Sequence, residues 1–534
     1  MRRIMLAASC GAILVAGCGS GGGSSSPPPP PPAADFSLAV SPTSLSVVQG
    51  ATSSPITVSV VAANGFTGTV SVTISGLPAG ATTSAAFPLT VSASSPQPFT
   101  VTVPANAAAG DSNIILHGMS GSLAHDASAL TLHTAAVQTS QVGSVLYLQT
   151  VLNGHTARIG LETNWGGSIV EISMDGTNVV NAHDTGREVQ PALYDLNGGL
   201  GANGWDPVLG GDKYDHGSTV LNQQVTNNSL YTKTSPLYWN PDAFSGGPSA
   251  PVQSDTTFEQ TVTVAPDAPL AFKLHLKLTH NGTDYHYVTQ QEFPAVYVNS
   301  TYTTLVYYGG KVPWTNGSIT TAPVTTTDLW VYAPEQWAAL VDANNQGLTV
   351  FVPGSYPSWV SVYFPGSGGS GPTGDATAYM RPLTEFSVGP GAVIEGDVYL
   401  IPGDANAARA DVYNLHQSVT AANLAEPFGV MDAPAPNSTV SGTGFAVAGW
   451  AIGNVPVSAV KVYVDGTLTG AAVLGVARPD VVAAYPAIAQ LNCGWQYSLD
   501  TATLTNGTHT IAIHIVDSSN NEVLLPPVSV TVSN

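Results

Sequence analysis

The stretch that decides the fold is Phe272-Lys273-Leu274-His275-Leu276-Lys277-Leu278-Thr279. Every second residue is apolar and those between are polar or charged. Side chains of a strand point alternately to opposite faces, so this is a strand buried on one side. The same period recurs in Phe36, Leu38 and Val40, in Val70 to Ile74, in Phe99 to Val103, in Val460, Val462 and Val464, and in Ile511, Ile513 and Ile515. Val393 to Ile401 is a further strand. Turn signals separate these runs, among them Gly76-Leu77-Pro78-Ala79-Gly80 and Asp465-Gly466, the latter a hairpin turn because glycine accepts the positive φ it demands. No convincing amphipathic helix interrupts them; Arg409 to Gln417 supports a helical turn or two.

Composition agrees. The 534 residues include 55 Gly and 40 Pro, and charged residues make up only 9%. With 34 acidic against 13 basic side chains, the formal charge is −21. So few cations exclude a nucleic-acid partner, which requires clustered Lys and Arg to displace counterions. The 43% of apolar residues excludes disorder throughout. The chain reads as acidic, multidomain and all-β.

The N-terminus reads as an address. Met1-Arg2-Arg3 is a positive n-region, and Ile4 to Ala16 is apolar but too short to cross a bilayer, which takes ~20 residues. Val15-Ala16-Gly17-Cys18 resembles the lipobox of bacterial lipoproteins. The resemblance implies a signal peptide over 1–17 and acylation of Cys18. Gly19 in place of Asp implies the outer membrane or cell surface, with the lipid as the chain's only membrane contact. Residues 18–34 then form a tether, GSGGGSSSPPPPPPAA after the cysteine, with a flexible part and a stiff polyproline part. Cys10 leaves with the signal, so Cys493 stands alone and no intramolecular disulfide is possible.

Three folded segments follow. Residues 35–134 are read as a β-sandwich, and Asn64 to Gly80 resembles bacterial Ig-like domains of secreted proteins. Residues 427–534 look like another Ig-like domain. The middle, 140–425, is too long for one such sandwich and holds seven of the nine tryptophans. Its opening, from Leu152-Asn153-Gly154-His155 through Asn164-Trp165-Gly166-Gly167 to Asp175-Gly176-Thr177-Asn178, resembles galactose-mutarotase-like β-supersandwiches, and Glu395 to Asp404 fits a closing strand. The resemblance implies a large supersandwich between two Ig-like β-sandwiches. That superfamily includes epimerases, domains of polysaccharide lyases and glycosidases, and non-catalytic members, and fold alone does not choose among them.

Against a background so poor in charge, three runs stand out: His183 to Gln190, Asn203 to Pro207 and Gly210 to Ser218. Glycine-rich loops on a rigid sandwich commonly carry sites. Sugar recognition calls for this mixture, since carboxylates, amides and guanidinium groups bond hydroxyls while an aromatic face covers the C–H face of the ring. Candidate catalytic residues are His183 and His216 as acid/base, Glu292 in an apolar and amide setting, and Arg187 for a substrate carboxylate or hydroxyls. Candidate substrate-binding residues are Asp184, Gln190, Trp205, Asp206, Asp212 and Trp314. An Arg187/Lys213 patch can accept one uronate. The competing reading makes Asp184–Arg187 a turn-stabilising ion pair and Asp206-Pro207 a loop cap. Trp314, Trp330, Trp337 and Trp359, with neighbouring tyrosines such as Tyr332, either line a sugar groove or pack in the core.

No metal or other cofactor is expected. H-E-x-x-H and cysteine clusters are absent, and His275, His280 and His286 are spread over a strand and an Asn281-Gly282 turn. The middle segment also lacks the G-x-S-x-G elbow of an α/β-hydrolase. The two resemblances, with the 183–218 cluster, imply a surface-anchored lipoprotein whose central domain is expected to bind or process carbohydrate, by glycosidase, polysaccharide-lyase or epimerase-type chemistry. The alternative is a non-catalytic glycan-binding or structural surface protein.

Overall fold

The computed structural model describes residues 31–181, 183–184, 186–195, 204–486 and 488–534. The signal segment, Cys18 and most of the tether lie outside these, as does Asn203. The described chain is nearly all β, in several sheets.

The first sandwich packs the strands Asp35–Ser41, Ile56–Ala63 and Gln97–Phe99 against a sheet containing Val70–Ser75 and Gly110–Ser120. Phe36, Val58, Val72, Val101, Ile114 and Leu132 fill its core. It does not end at a linker. One strand, Leu130–Val142, pairs through Leu130 to Thr134 with Gly110–Ser120, then through Ala136 to Val142 with Val145–Leu152 of the middle segment. The sheet therefore runs from one body into the next.

The middle body is two large antiparallel sheets with the main core between them. One has Ala268–His280 and Val393–Asp404 at its centre. Phe272, Leu274, Leu276 and Leu278 enter the core, as their alternation requires, and Lys273, His275 and Lys277 meet Asp397, Glu395 and Glu259 on the other face. The second sheet has His286–Asn299 beside Val189–Ala192 and Thr377–Pro382, then Ser358–Phe364 and Leu329–Tyr332. Phe293, Val296, Val298, Met380 and Trp359 are its contribution to the core.

The helical turn or two expected near Arg409 is a 14-residue helix, Ala405–Ser418. Asp404 caps it, accepting from the backbone N–H groups of Asn406 and Ala407, and alanines in its first turns favour it. Ala408, Val412 and Leu415 pack on Trp337, Ala339 and Phe351.

The C-terminal sandwich places Phe445–Ile452 and Gly494–Leu499 against Val457–Val464 and Gly507–Asp517. Asp465 and Gly466 both have positive φ in the hairpin turn their sequence announces. Its core of Val460, Val462, Trp495, Ile511 and Ile513 continues through Val288, Tyr356 and Leu383 of the middle body, so these two bodies share buried surface.

Candidate functional site

The outward face of the second middle sheet carries the groups of interest. Alternation on Thr377–Pro382 sends Ala378 and Met380 into the core, while Tyr379 and Arg381 lie on the other face. Leu329–Tyr332 buries Val331 and leaves Trp330 44% and Tyr332 37% exposed, a large aromatic surface open to solvent. Gln290 and Glu292 come from His286–Asn299. Tyr194 follows the strand Val189–Ala192 and is fixed by buried Gln291, whose Oε1 accepts from the Tyr194 N–H at 2.8 Å and whose Nε2 donates to the Tyr194 carbonyl at 3.1 Å.

These side chains form one network. The Tyr194 hydroxyl donates to Glu292 Oε2 at 3.1 Å, and the Tyr379 hydroxyl donates to Oε1. Arg381 Nε lies 3.9 Å from the same Oε1, and Arg381 Nη2 donates to Gln290 Oε1 at 2.7 Å. The guanidinium stands 5.5 Å from the centre of the Trp330 ring, a cation–π arrangement. Burial, and then the charge of Glu292, pushes both tyrosine hydroxyls well above their usual range, so they remain proton donors. Burial pushes the Glu385 carboxyl up to about 8 against the opposing pull of Arg381. Glu385 is therefore a protonated acid at neutral pH.

The C-terminal domain closes the other side. Phe428, Val430, Trp450 and Tyr485 face Tyr194, Glu292, Arg381 and Glu385 across a cavity of about 350 Å³. A neighbouring cavity of about 320 Å³ is lined by Trp330, Tyr332, Tyr485 and Ile488. Gln290 and Tyr485 belong to both, so the two form a continuous groove.

Of the residues expected from sequence, Glu292 lies in this groove. Asp184, Arg187, Asp212 and His216 come together elsewhere, as the ties of a loop. Arg187 donates to Asp184 Oδ1 at 2.5 Å, to Asp215 Oδ1 at 2.8 Å and to the Asp212 carbonyl at 3.1 Å, and lies over Trp239. Buried Asp212 organises its own turn, accepting from the N–H groups of Tyr214 and His216 and holding His216 Nδ1 at 2.8 Å. Lys213 is paired with Asp242 at 2.5 Å. The cations of the suggested uronate patch are thus already neutralised, and the ion-pair reading of Asp184–Arg187 describes the geometry. His183 is exposed beside this loop, near enough to Asp375 to lower that carboxyl's pKa, after the Ser367 and Gly368 backbone bonds. Gln190 is buried, with Oε1 accepting from Gly210 N–H at 2.6 Å.

Asp206 is buried, and desolvation pushes its carboxyl up to about 7. Trp205 is 6% exposed, stacked on His286 rather than open to a ligand. Trp314 stacks on His416 of the helix, its ring centre 3.5 Å away, and Trp337 and Trp359 are core. Tyr194, Tyr379, Arg381, Glu385 and Tyr485 had no local signal. Tyr194, Tyr379, Arg381 and Glu385 reach the Gln290–Glu292 strand only when segments about 90 residues apart in sequence are paired, and Tyr485 only when the C-terminal domain packs on them.

Residues 427–513 match the family model of a bacterial Ig domain. No curated protein matches. Among solved structures, a polysaccharide lyase aligns over 74% of this chain and 47% of its own at 9% identity, with a TM-score of 0.26. An endo-β-1,4-mannanase from Thermotoga petrophila aligns over 24% of each chain at 14% identity and a TM-score of 0.15. A tandem repeat of a large adhesion protein aligns over 94% of this chain and 100% of its own at 10% identity, also with a TM-score of 0.15.

Proposed function

We propose that the chain is a surface-anchored lipoprotein whose central domain binds a carbohydrate chain in the groove between its outer sheet face and the C-terminal Ig domain. The observation that carries this reading is the exposed Trp330 ring, held under Arg381 and continuous with Gln290, Glu292 and Tyr485. An aromatic plate beside amide, carboxyl and hydroxyl groups is the combination that recognises a sugar's apolar face and hydroxyls. Two large antiparallel sheets around one core support the mutarotase-like resemblance of the middle segment. The acidic chain and the pairing of Arg381 with Gln290 and Glu292 favour a neutral glycan. Trp330→Ala is expected to weaken binding of a neutral polysaccharide at least tenfold, ~1.4 kcal/mol, in affinity electrophoresis or calorimetry.

Glu385 favours a second reading, turnover. A carboxyl that keeps its proton to about pH 8 can protonate a leaving glycosidic oxygen, with Glu292 as the partner carboxyl. Turnover of a bound polysaccharide that Glu385→Gln abolishes while binding persists supports it; binding with no product removes it. The anchor is tested separately. Cys18→Ser is expected to move the protein from the membrane to the soluble fraction, and unchanged fractionation would refute lipidation.

A further inference from the structure

A different cluster gathers where three segments end. Asp255 precedes the strand Thr256–Ala265, His280 ends Ala268–His280, Asp284 lies in the turn, and His286 begins the next strand. One potential ligand atom from each lies within 4.8 Å of all the others. His280 Nε2 is 3.2 Å from Asp255 Oδ2 and 3.5 Å from Asp284 Oδ1, and His286 Nε2 is 3.8 Å from Asp284 Oδ2. Bonds of ~2.0–2.2 Å to a tetrahedral ion hold its donors ~3.3–3.6 Å apart, so the three short pairs are already near that spacing, and pairs out to 4.8 Å close by about 1 Å on binding. The expectation of no metal rested on the spread of the histidines in sequence. His275 does bond away, to Asp397, but the turn 281–285, which carries the chain from one middle sheet to the other, brings His280 to His286, and the adjacent strand brings Asp255.

The surroundings aim these groups inward. His280 Nδ1 lies 2.8 Å from the Gly389 carbonyl, which only accepts, so Nδ1 carries a proton and Nε2 is the atom a bound ion would take. His286 Nδ1 is 2.7 Å from Asp195 Oδ2. Trp205 Nε1 and the Tyr238 hydroxyl donate to Asp255 Oδ1 at 2.7 and 3.2 Å, leaving Oδ2 for the centre. Holding each ligand by its far atom is how proteins orient metal ligands.

Two further observations point to an occupant. His286 is 3% exposed, yet its Nε2, directed into the cluster, has no hydrogen-bond partner. A salt bridge from a charged His280 to its two aspartates leaves that atom orphaned. In addition, a Cβ built on Gly282 would fall among Asp255 Oδ2, His280 Nε2 and Asp284 Oδ1, so glycine keeps this space open.

We propose that Asp255, His280, Asp284 and His286 bind one divalent transition-metal ion of the zinc class as a closed structural site. Two imidazoles and two carboxylates suit zinc and balance its charge, whereas calcium takes six to eight oxygens. The ion ties the turn between the two middle sheets to the Trp205 and Asp195 segments. Asp195 also lines the groove, but the site stands independently of the carbohydrate reading.

The test uses the untagged mature chain, stripped with chelator and desalted, then incubated with ZnCl2 or CaCl2 and passed through gel filtration before elemental analysis. One zinc per chain, no calcium and a Tm raised by zinc are expected. Asp284→Ala, at a side chain 65% exposed, is expected to fold and to bind zinc at least tenfold more weakly. His286→Gln is expected to lose zinc entirely if it folds. Substoichiometric zinc on the folded wild type, or full affinity in Asp284→Ala, would overturn the site.

Discussion

At the scale of single residues, the groove is defined by which groups keep or lose protons. Glu385 has a folded pKa of about 8 against an ordinary 4.5. Below pH 4.5 the acid is neutral in both states. Between 4.5 and 8 the unfolded chain releases the proton while the folded chain holds it, so this group makes stability fall as pH rises. Each pH unit in that window corresponds to ~1.4 kcal/mol for one fully retained proton. Glu385→Gln is therefore expected to flatten the decline and to be more stable than wild type near pH 8, measured by denaturant unfolding across pH. A parallel pair of curves would mean that Glu385 is ionised in the fold. Glu292 was legible as a carboxyl among apolar and amide neighbours. Its partners were not, because Tyr194 and Tyr379 reach it from 98 and 87 residues away. The charge density of 183–218 is spent on loop ties: Arg187 reaches Asp215 and the Asp212 carbonyl, while the Asp212 carboxylate holds its own turn through Tyr214 and His216.

At the scale of elements, period-two patterning was sufficient for strands such as Ala268–His280, where burial alternates along almost the whole length. It was insufficient for Trp337–Val341, buried on both faces and so without alternation. The helix Ala405–Ser418 was underestimated because Asp404 belongs to a strand pattern and is also the helix cap. Its Oδ1 accepts two backbone N–H groups at 3.0 Å, and Oδ2 accepts from Asn345. Asp404→Ala is expected to cost about 1 kcal/mol in unfolding free energy, with Asp404→Asn recovering most of it. A loss under ~0.3 kcal/mol would show that packing on Trp337 and Phe351 alone sets the helix start.

At the scale of the whole molecule, the middle body is fused to its neighbours. Leu130–Val142 carries the first sandwich's sheet into it, and a shared core joins it to the C-terminal Ig domain. Turn signals and domain lengths mark three bodies in the sequence, but nothing local reveals that Tyr356 and Leu383 pack with Trp495. That junction matters, since the groove exists only where Tyr485 and Trp450 face the outer sheet. The most direct measurement of the account is binding of the mature chain to a panel of neutral polysaccharides, compared with Trp330→Ala and His216→Ala. The account predicts a wild-type ligand, at least tenfold weaker binding for Trp330→Ala, and no change for His216→Ala. Binding lost with His216 and kept without Trp330, or no ligand in the panel, would contradict it.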